Sequence, residues 1–226
     1  MRVPPLLRAI HFGPALLVCA VSFLTALHLE SVAGAAEVTV ALFCGQCVVG
    51  WTNDLVDVNN DRLAERVKKP LVSGDLDART LQILLPIMAV LTVGVSLLSP
   101  LHLKGTALHV AGLLSATLYN VWLKRTPLSF VPYVVSFSLL PLALYSTVSR
   151  RAPLWLVVAF ATVACSFHFL NVIKDLEVDR QQGILGLPQR VGKGPSLGIA
   201  GGLLVVAVLD IVFMRSHRAP FLRGGK

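Results

Sequence analysis

Seven stretches of apolar, almost uncharged sequence recur along this 226-residue chain, at about 12–29, 36–53, 80–98, 106–122, 129–147, 153–173 and 195–214. Each is close to the ~20 residues an α-helix needs to cross the hydrocarbon core of a bilayer. Backbone placed in lipid must satisfy its own polar groups, and runs this long without period-two alternation do so as helices. The expected fold is therefore all-α, a polytopic membrane helical bundle of about seven transmembrane helices, forming one domain over residues 1–226. Only 14% of the residues are charged and the mean hydropathy is +0.74, whereas a soluble domain is about 25% charged. Pro14, Pro86, Pro132 and Pro141 lie in or beside these runs, where a bilayer helix accepts a kink.

Charge sets the orientation. With the N-terminus inside, thirteen basic residues fall on the cytoplasmic side: Arg2, Arg8, Arg62, Arg66, Lys68, Lys69, Arg79, Lys124, Arg125, Lys174, Arg180, Arg190 and Lys193. Seven fall outside: Lys104, Arg150, Arg151, Arg215, Arg218, Arg223 and Lys226. The asymmetry predicts a multi-pass cell-membrane protein with a cytoplasmic N-terminus. The net charge of +8 is spread over short loops and makes no continuous basic face, which excludes nucleic acid in favour of anionic lipid and an anionic substrate. Ala33-Gly34-Ala35 resembles a leader cleavage site, but the first run is longer than a leader core and six more follow, so a retained first helix is expected. Cys44 and Cys47 form a CxxC pair without two further ligands nearby; with Cys19 and Cys165 they read as small side chains in helix contacts.

Nine of the twelve acids lie in two short segments, 54–77 and 175–179, each at the cytoplasmic end of a span. In Asn53-Asp54-Leu55-Val56-Asp57-Val58-Asn59-Asn60-Asp61, steps of four residues place Asn53, Asp57 and Asp61 on one stripe of a helix, with Asp54 one turn before Asp57. Carboxylates this close repel unless a cation holds them. The plainer alternative is a hydrated acidic loop ending the helix. In the second segment Asp175 and Asp179 are four apart, and His168 and Asn171 extend the same face into the membrane. Oxygen donors without Cys or His at ligand spacing suit Mg²⁺ and not zinc. Arg62, Lys68, Lys69, Lys124, Arg125, Lys174 and Arg180 lie between and around the clusters. They would neutralise phosphate oxygens, although the positive-inside rule accounts for Lys124 and Arg125 equally well.

These residues resemble the UbiA-type membrane prenyltransferases. Asn53-Asp54-x-x-Asp57-x-x-x-Asp61 matches the NDxxDxxxD motif, and Lys69-Pro70-Leu71-Val72-Ser73-Gly74 is similar to the RPLxSG segment after it, with Lys for Arg. Tyr119 and Lys124-Arg125-Thr126-Pro127 resemble a tyrosine and LKRxTP-like stretch, and Asp175-x-x-x-Asp179-x-x-x-Gly183 the second DxxxD motif. The resemblance implies a bundle around a central cavity with a cytoplasmic-side active site, and Mg²⁺-dependent transfer of an isoprenoid from a prenyl diphosphate to an aromatic or quinone-precursor acceptor. By motif position, Asn53, Asp57 and Asp61 would hold one Mg²⁺ and Asp175 and Asp179 another, with Asp54 supporting. Lys69, Lys124 and Arg125 would balance the diphosphate, and Tyr119 would face the reacting carbon. Asn53, Arg62, His168, Asn171 and Lys174 complete the expected substrate-facing set. Family members commonly carry nine helices, so seven helices imply a cavity wall that is shortened at the C-terminus, completed by a second protomer in a homo-oligomer, or missing because the chain is a piece of a longer protein.

Three other readings share some of these features. A CDP-alcohol phosphotransferase also pairs spaced aspartates with Mg²⁺, but would show DGxxAR, which is not beside Asp54 or Asp61. A transporter would place acids along an ion path, whereas the acids here end helices on one face, with Glu30, Glu37 and Asp210 the exceptions. A family member that has lost activity would keep the fold, although its intact acidic motifs argue against decay.

Overall fold

A computed structural model describes the backbone of residues 3–218 and the side chains of residues 3–214. Arg2, Arg223 and Lys226, and the side chains of Arg215 and Arg218, which entered the charge count, lie outside the described residues. Each apolar run is a helix: α1 Phe12–Ala26, α2 Val32–Leu63, α3 Ala78–Leu98, α4 His102–Val121, α5 Val131–Ser146, α6 Leu154–Val172 and α7 Lys193–Arg218. No strand occurs among the described residues. Four helical stretches are long and apolar enough to cross a membrane: α2, α3, Leu154–Gln181 and Lys193–Met214. Helices α1 and α5 are apolar but shorter, and α4 is polar for a span, carrying Lys104, His109 and Asn120.

The second helix begins where Ser31 caps it, its hydroxyl accepting from the Gly34 N–H at 3.1 Å. It then runs for 32 residues, about 48 Å at 1.5 Å per residue, well beyond the ~30 Å hydrocarbon core. The apolar run ends near residue 53, yet the helix continues through the acidic stripe to Leu63. The sixth helix behaves differently. It stops at Val172, turns through a 3₁₀ segment at Ile173–Asp175 and resumes as Leu176–Gln181, so Asp175 and Asp179 follow a turn at the end of α6 and do not lie on one unbroken helix. Short helices at Pro5–Arg8, Pro70–Ser73 and Leu187–Val191 each have proline in the first turn, where its missing N–H costs nothing.

Neighbours in sequence pack side by side from α1 to α7, except that α2 also meets α4 and α1 also meets α5. The cluster that joins α1, α2 and α5 is built from Ala26, Ala35, Val38, Ala41, Leu42, Ala143 and Leu144. Small residues allow close helix approach, which matters in a bilayer where lipid is as apolar as the contact. Leu204, Val205, Val208, Leu209, Val212 and Phe213 of α7 are exposed, a face suited to lipid.

Candidate active site

A cavity of about 710 Å³ lies among α1, α2, α4, α5 and the end of α6. Its lower wall is largely apolar, with Leu42, Leu108, Leu113, Phe137, Leu140 and Ala143 interrupted by Gln46, His109 and Ser136, and Leu42 and Ala143 also belong to the core cluster that closes this end. Its upper wall carries Asn53, Asp57, Asp61, Lys69, Lys124, Asp175 and Asp179. From Asp57 to Leu42 is fifteen residues of α2, about 22 Å. The space therefore has a charged mouth and a long greasy interior.

The two acidic segments, about a hundred residues apart in sequence, face each other across that mouth. Arg66 joins them: its guanidinium lies 3.3 Å from Asp61 Oδ1, 3.2 Å from Asp175 Oδ1 and 3.9 Å from Asp179 Oδ1. Gln182 adds a second tie, its amide donating to the Asn60 carbonyl at 2.8 Å. Asp179 is also held by the buried Gln189, whose Nε2 donates to Oδ2 at 2.8 Å.

Around the first cluster, Asn53 Nδ2 donates to Asp57 Oδ2 at 3.0 Å and contacts Asn120 Oδ1 at 3.3 Å, while Asn120 donates to the Val49 carbonyl. Lys124, only 5% exposed, forms an ion pair with Asp57. Lys69 pairs with Asp54 and lies 3.3 Å from Asp61 Oδ2. Asp54 is 1% exposed and does not line the cavity, so its position supports Lys69 and gives it no direct access to a ligand.

The expected set is thus only partly brought together. Asn53, Asp57, Asp61, Lys69, Tyr119, Lys124, Asn171, Lys174, Asp175 and Asp179 all line the cavity, whereas Arg62 and Arg125 are exposed outside it. His168 does not line it either. Its ring is packed against Tyr133 at 4.6 Å and Tyr119 at 5.7 Å between centroids, with Nε2 on Ser129 Oγ at 3.1 Å. Both tyrosines are cavity residues and meet edge to face at 5.2 Å, so His168 supports an aromatic wall from behind. Arg66, Asn120, Tyr133, Gln182 and Gln189 went unread in the sequence. Arg66 is one loop cation among several there, and the others have no charge to mark them.

The carboxylates are interleaved with cations and do not form a bare acidic cage. Among the described residues no group of three or more His, Cys, Asp or Glu is spaced to hold a metal. The donor set still fits a hard divalent cation: Asn53, Asp57, Asp61, Asp175 and Asp179 share one cavity and offer oxygen without sulfur or imidazole.

The profile of the UbiA prenyltransferase family matches residues 13–222. No curated protein matches the chain. Among solved structures, it superposes on a UbiA homologue from Archaeoglobus fulgidus with a TM-score of 0.75 at 17% identity, over 92% of this chain and 76% of the other. The same homologue bound to GPP and Mg²⁺ gives a TM-score of 0.72 at 18% identity, covering 92% and 77%. A digeranylgeranylglyceryl phosphate synthase gives 0.68 at 21% identity, covering 91% and 75%. At these identities the likeness establishes a shared fold.

Proposed function

The chain belongs to the UbiA prenyltransferase family, and from that membership and the geometry of the cavity we propose that it transfers an isoprenoid group from a prenyl diphosphate to an electron-rich acceptor, aromatic or quinone-precursor in kind, releasing diphosphate. The observation that carries the reading is the meeting of both acidic segments, through Arg66, at the charged mouth of a cavity whose interior is largely apolar. Below that mouth the walls are largely apolar, broken by Gln46, His109 and Ser136, an arrangement that matches a substrate with a highly charged head and a hydrocarbon tail. The structural relative from Archaeoglobus fulgidus has been seen with GPP and Mg²⁺, which supports the same substrate class here.

In the proposed reaction the bond between the allylic carbon and the diphosphate oxygen breaks, its electron pair leaving with the oxygen. An electron pair of the acceptor forms the new bond to carbon, and the acceptor then loses a proton. Lys69 and Lys124 line the mouth and neutralise charge as it gathers on the leaving group. Asn53, Asp57, Asp61, Asp175 and Asp179 would hold Mg²⁺, which when bound supplies further charge stabilisation on the phosphate oxygens. Tyr119 and Tyr133 line the same cavity, and the Tyr119 ring would stabilise positive charge on the reacting carbon. The apolar walls exclude water, which would otherwise capture that carbon.

The protein is a multi-pass membrane protein by its fold and family. We place the site on the cytoplasmic side of the cell membrane, because the basic residues concentrate on the loops around it. The chemistry is tested with purified protein, Mg²⁺ and a labelled prenyl diphosphate: release of diphosphate coupled to acceptor prenylation supports it, and nucleotide-dependent phosphotransfer in its place would overturn it.

A further inference from the structure

We infer that His11, which belongs to none of the charged motifs, is a positioning residue for the diphosphate end of the site, fixing the Lys69 ammonium against buried Asp54. This rests on the functional reading above.

His11 stands where the chain turns from the Pro5–Arg8 helix into α1, with φ 55° and ψ 61°. A left-handed conformation costs a non-glycine residue about 1 kcal/mol, and such strain gathers at functional sites. The ring shows what the strain accomplishes. Its Nε2 lies 3.1 Å from Asp54 Oδ1 and 3.3 Å from Lys69 Nζ, and His11 and Lys69 both line the cavity. Lysine is already a donor to Asp54, and with Nε2 protonated the imidazole donates to the same carboxylate. Two of the three ammonium protons then face Asp54 and Asp61, leaving the third for an anion in the cavity.

The turn is held from several directions, as positioning requires. Ala9 and Ile10 are fully buried against α2 at Gly50, where a Cβ would lie 2.5 Å from the Ile10 Cα. Trp51 Nε1 donates to the Leu6 carbonyl at 3.1 Å, and Arg8 pairs with Asp75 on the loop that follows Lys69. The N-terminal turn and the loop carrying Lys69 are thus locked to one helix and to each other.

The test measures binding of inorganic diphosphate with Mg²⁺ by calorimetry, and kcat and KM for a prenyl diphosphate, on full-length protein. His11→Asn tolerates the left-handed backbone but is too short to reach Asp54; His11→Gln keeps the reach. His11→Asn should weaken diphosphate binding and raise KM about tenfold, as expected for a hydrogen bond to a charged group, with kcat within about threefold. His11→Gln should recover most of the loss. In a Lys69→Ala background His11→Asn should add less than about twofold, because it acts through that lysine. Gly50→Ala displaces Ile10 without touching a charge and should weaken binding similarly, which keeps the test open if His11→Asn folds poorly. Unchanged affinity in folded His11→Asn, equal loss in the Asn and Gln variants, or full additivity with Lys69→Ala overturns the role of His11 alone. Wild-type protein that binds no diphosphate overturns the functional reading and this inference together.

Discussion

Replacing Arg66 by methionine should destabilise the metal-free protein, and Mg²⁺ should repair much of the damage. The guanidinium is the shared partner of Asp61, Asp175 and Asp179. Asp61 is nearly buried, and losing a charged hydrogen bond there costs about 1.5–3 kcal/mol. Arg66 and Asp175 are each about one third exposed, so solvent screening limits that second contact to about 0.5 kcal/mol. The sum is about 2–3.5 kcal/mol, or a fall in Tm of roughly 4–14 °C for a chain of this size. A divalent cation among the same carboxylates would replace the lost positive charge and stabilise the folded state by mass action. Thermal unfolding in detergent, with EDTA and with saturating Mg²⁺, measures this. The deficit of Arg66→Met should shrink by at least half in Mg²⁺. An equal deficit in both conditions would refute the claim that Mg²⁺ binds among these acids.

Three further outcomes follow from the same geometry. Asp61→Asn or Asp175→Asn should reduce turnover of a labelled prenyl diphosphate at least a hundredfold while leaving the protein folded by thermal unfolding, since each removes a charge from a different side of the mouth. Tyr119→Leu should lower kcat about tenfold with KM little changed, because a cation–π contact strengthens only as charge develops, and Tyr119→Phe should stay near wild type; a raised KM at constant kcat would remove the ring from the chemistry. Cysteines introduced at exposed Ser73 and Gln181 should react with an impermeant thiol reagent only from the cytoplasmic face, and one at Arg150 only from outside.

The positions of all seven long helices were legible because hydrophobicity marks what must be hidden from water. Hydropathy does not mark where a helix ends, and α2 continues ten residues past its apolar run as a polar helix. The acidic spacing carried that information, since Asn53, Asp57 and Asp61 align only on a helix. The same logic misplaced His168: spacing puts it on one face with Asn171, but Tyr119 and Tyr133 from two other helices pack against its ring. The role of Arg66 was hidden for another reason. In sequence it is one more cytoplasmic cation, and only the fold brings Asp175 and Asp179 to it. His11 was equally silent, because its significance depends on a backbone turn and on a close approach at Gly50.

The central claim is that the cavity joins a prenyl diphosphate to an acceptor. Its most direct test is to incubate the purified protein with Mg²⁺, radiolabelled prenyl diphosphates of several lengths and a panel of aromatic and quinone-precursor acceptors, and to identify products by mass. The account predicts a prenylated acceptor and one diphosphate released per adduct, both lost in Asp175→Asn. Folded protein that yields neither adduct nor diphosphate across the panel, or that releases diphosphate equally well in Asp175→Asn, would contradict it.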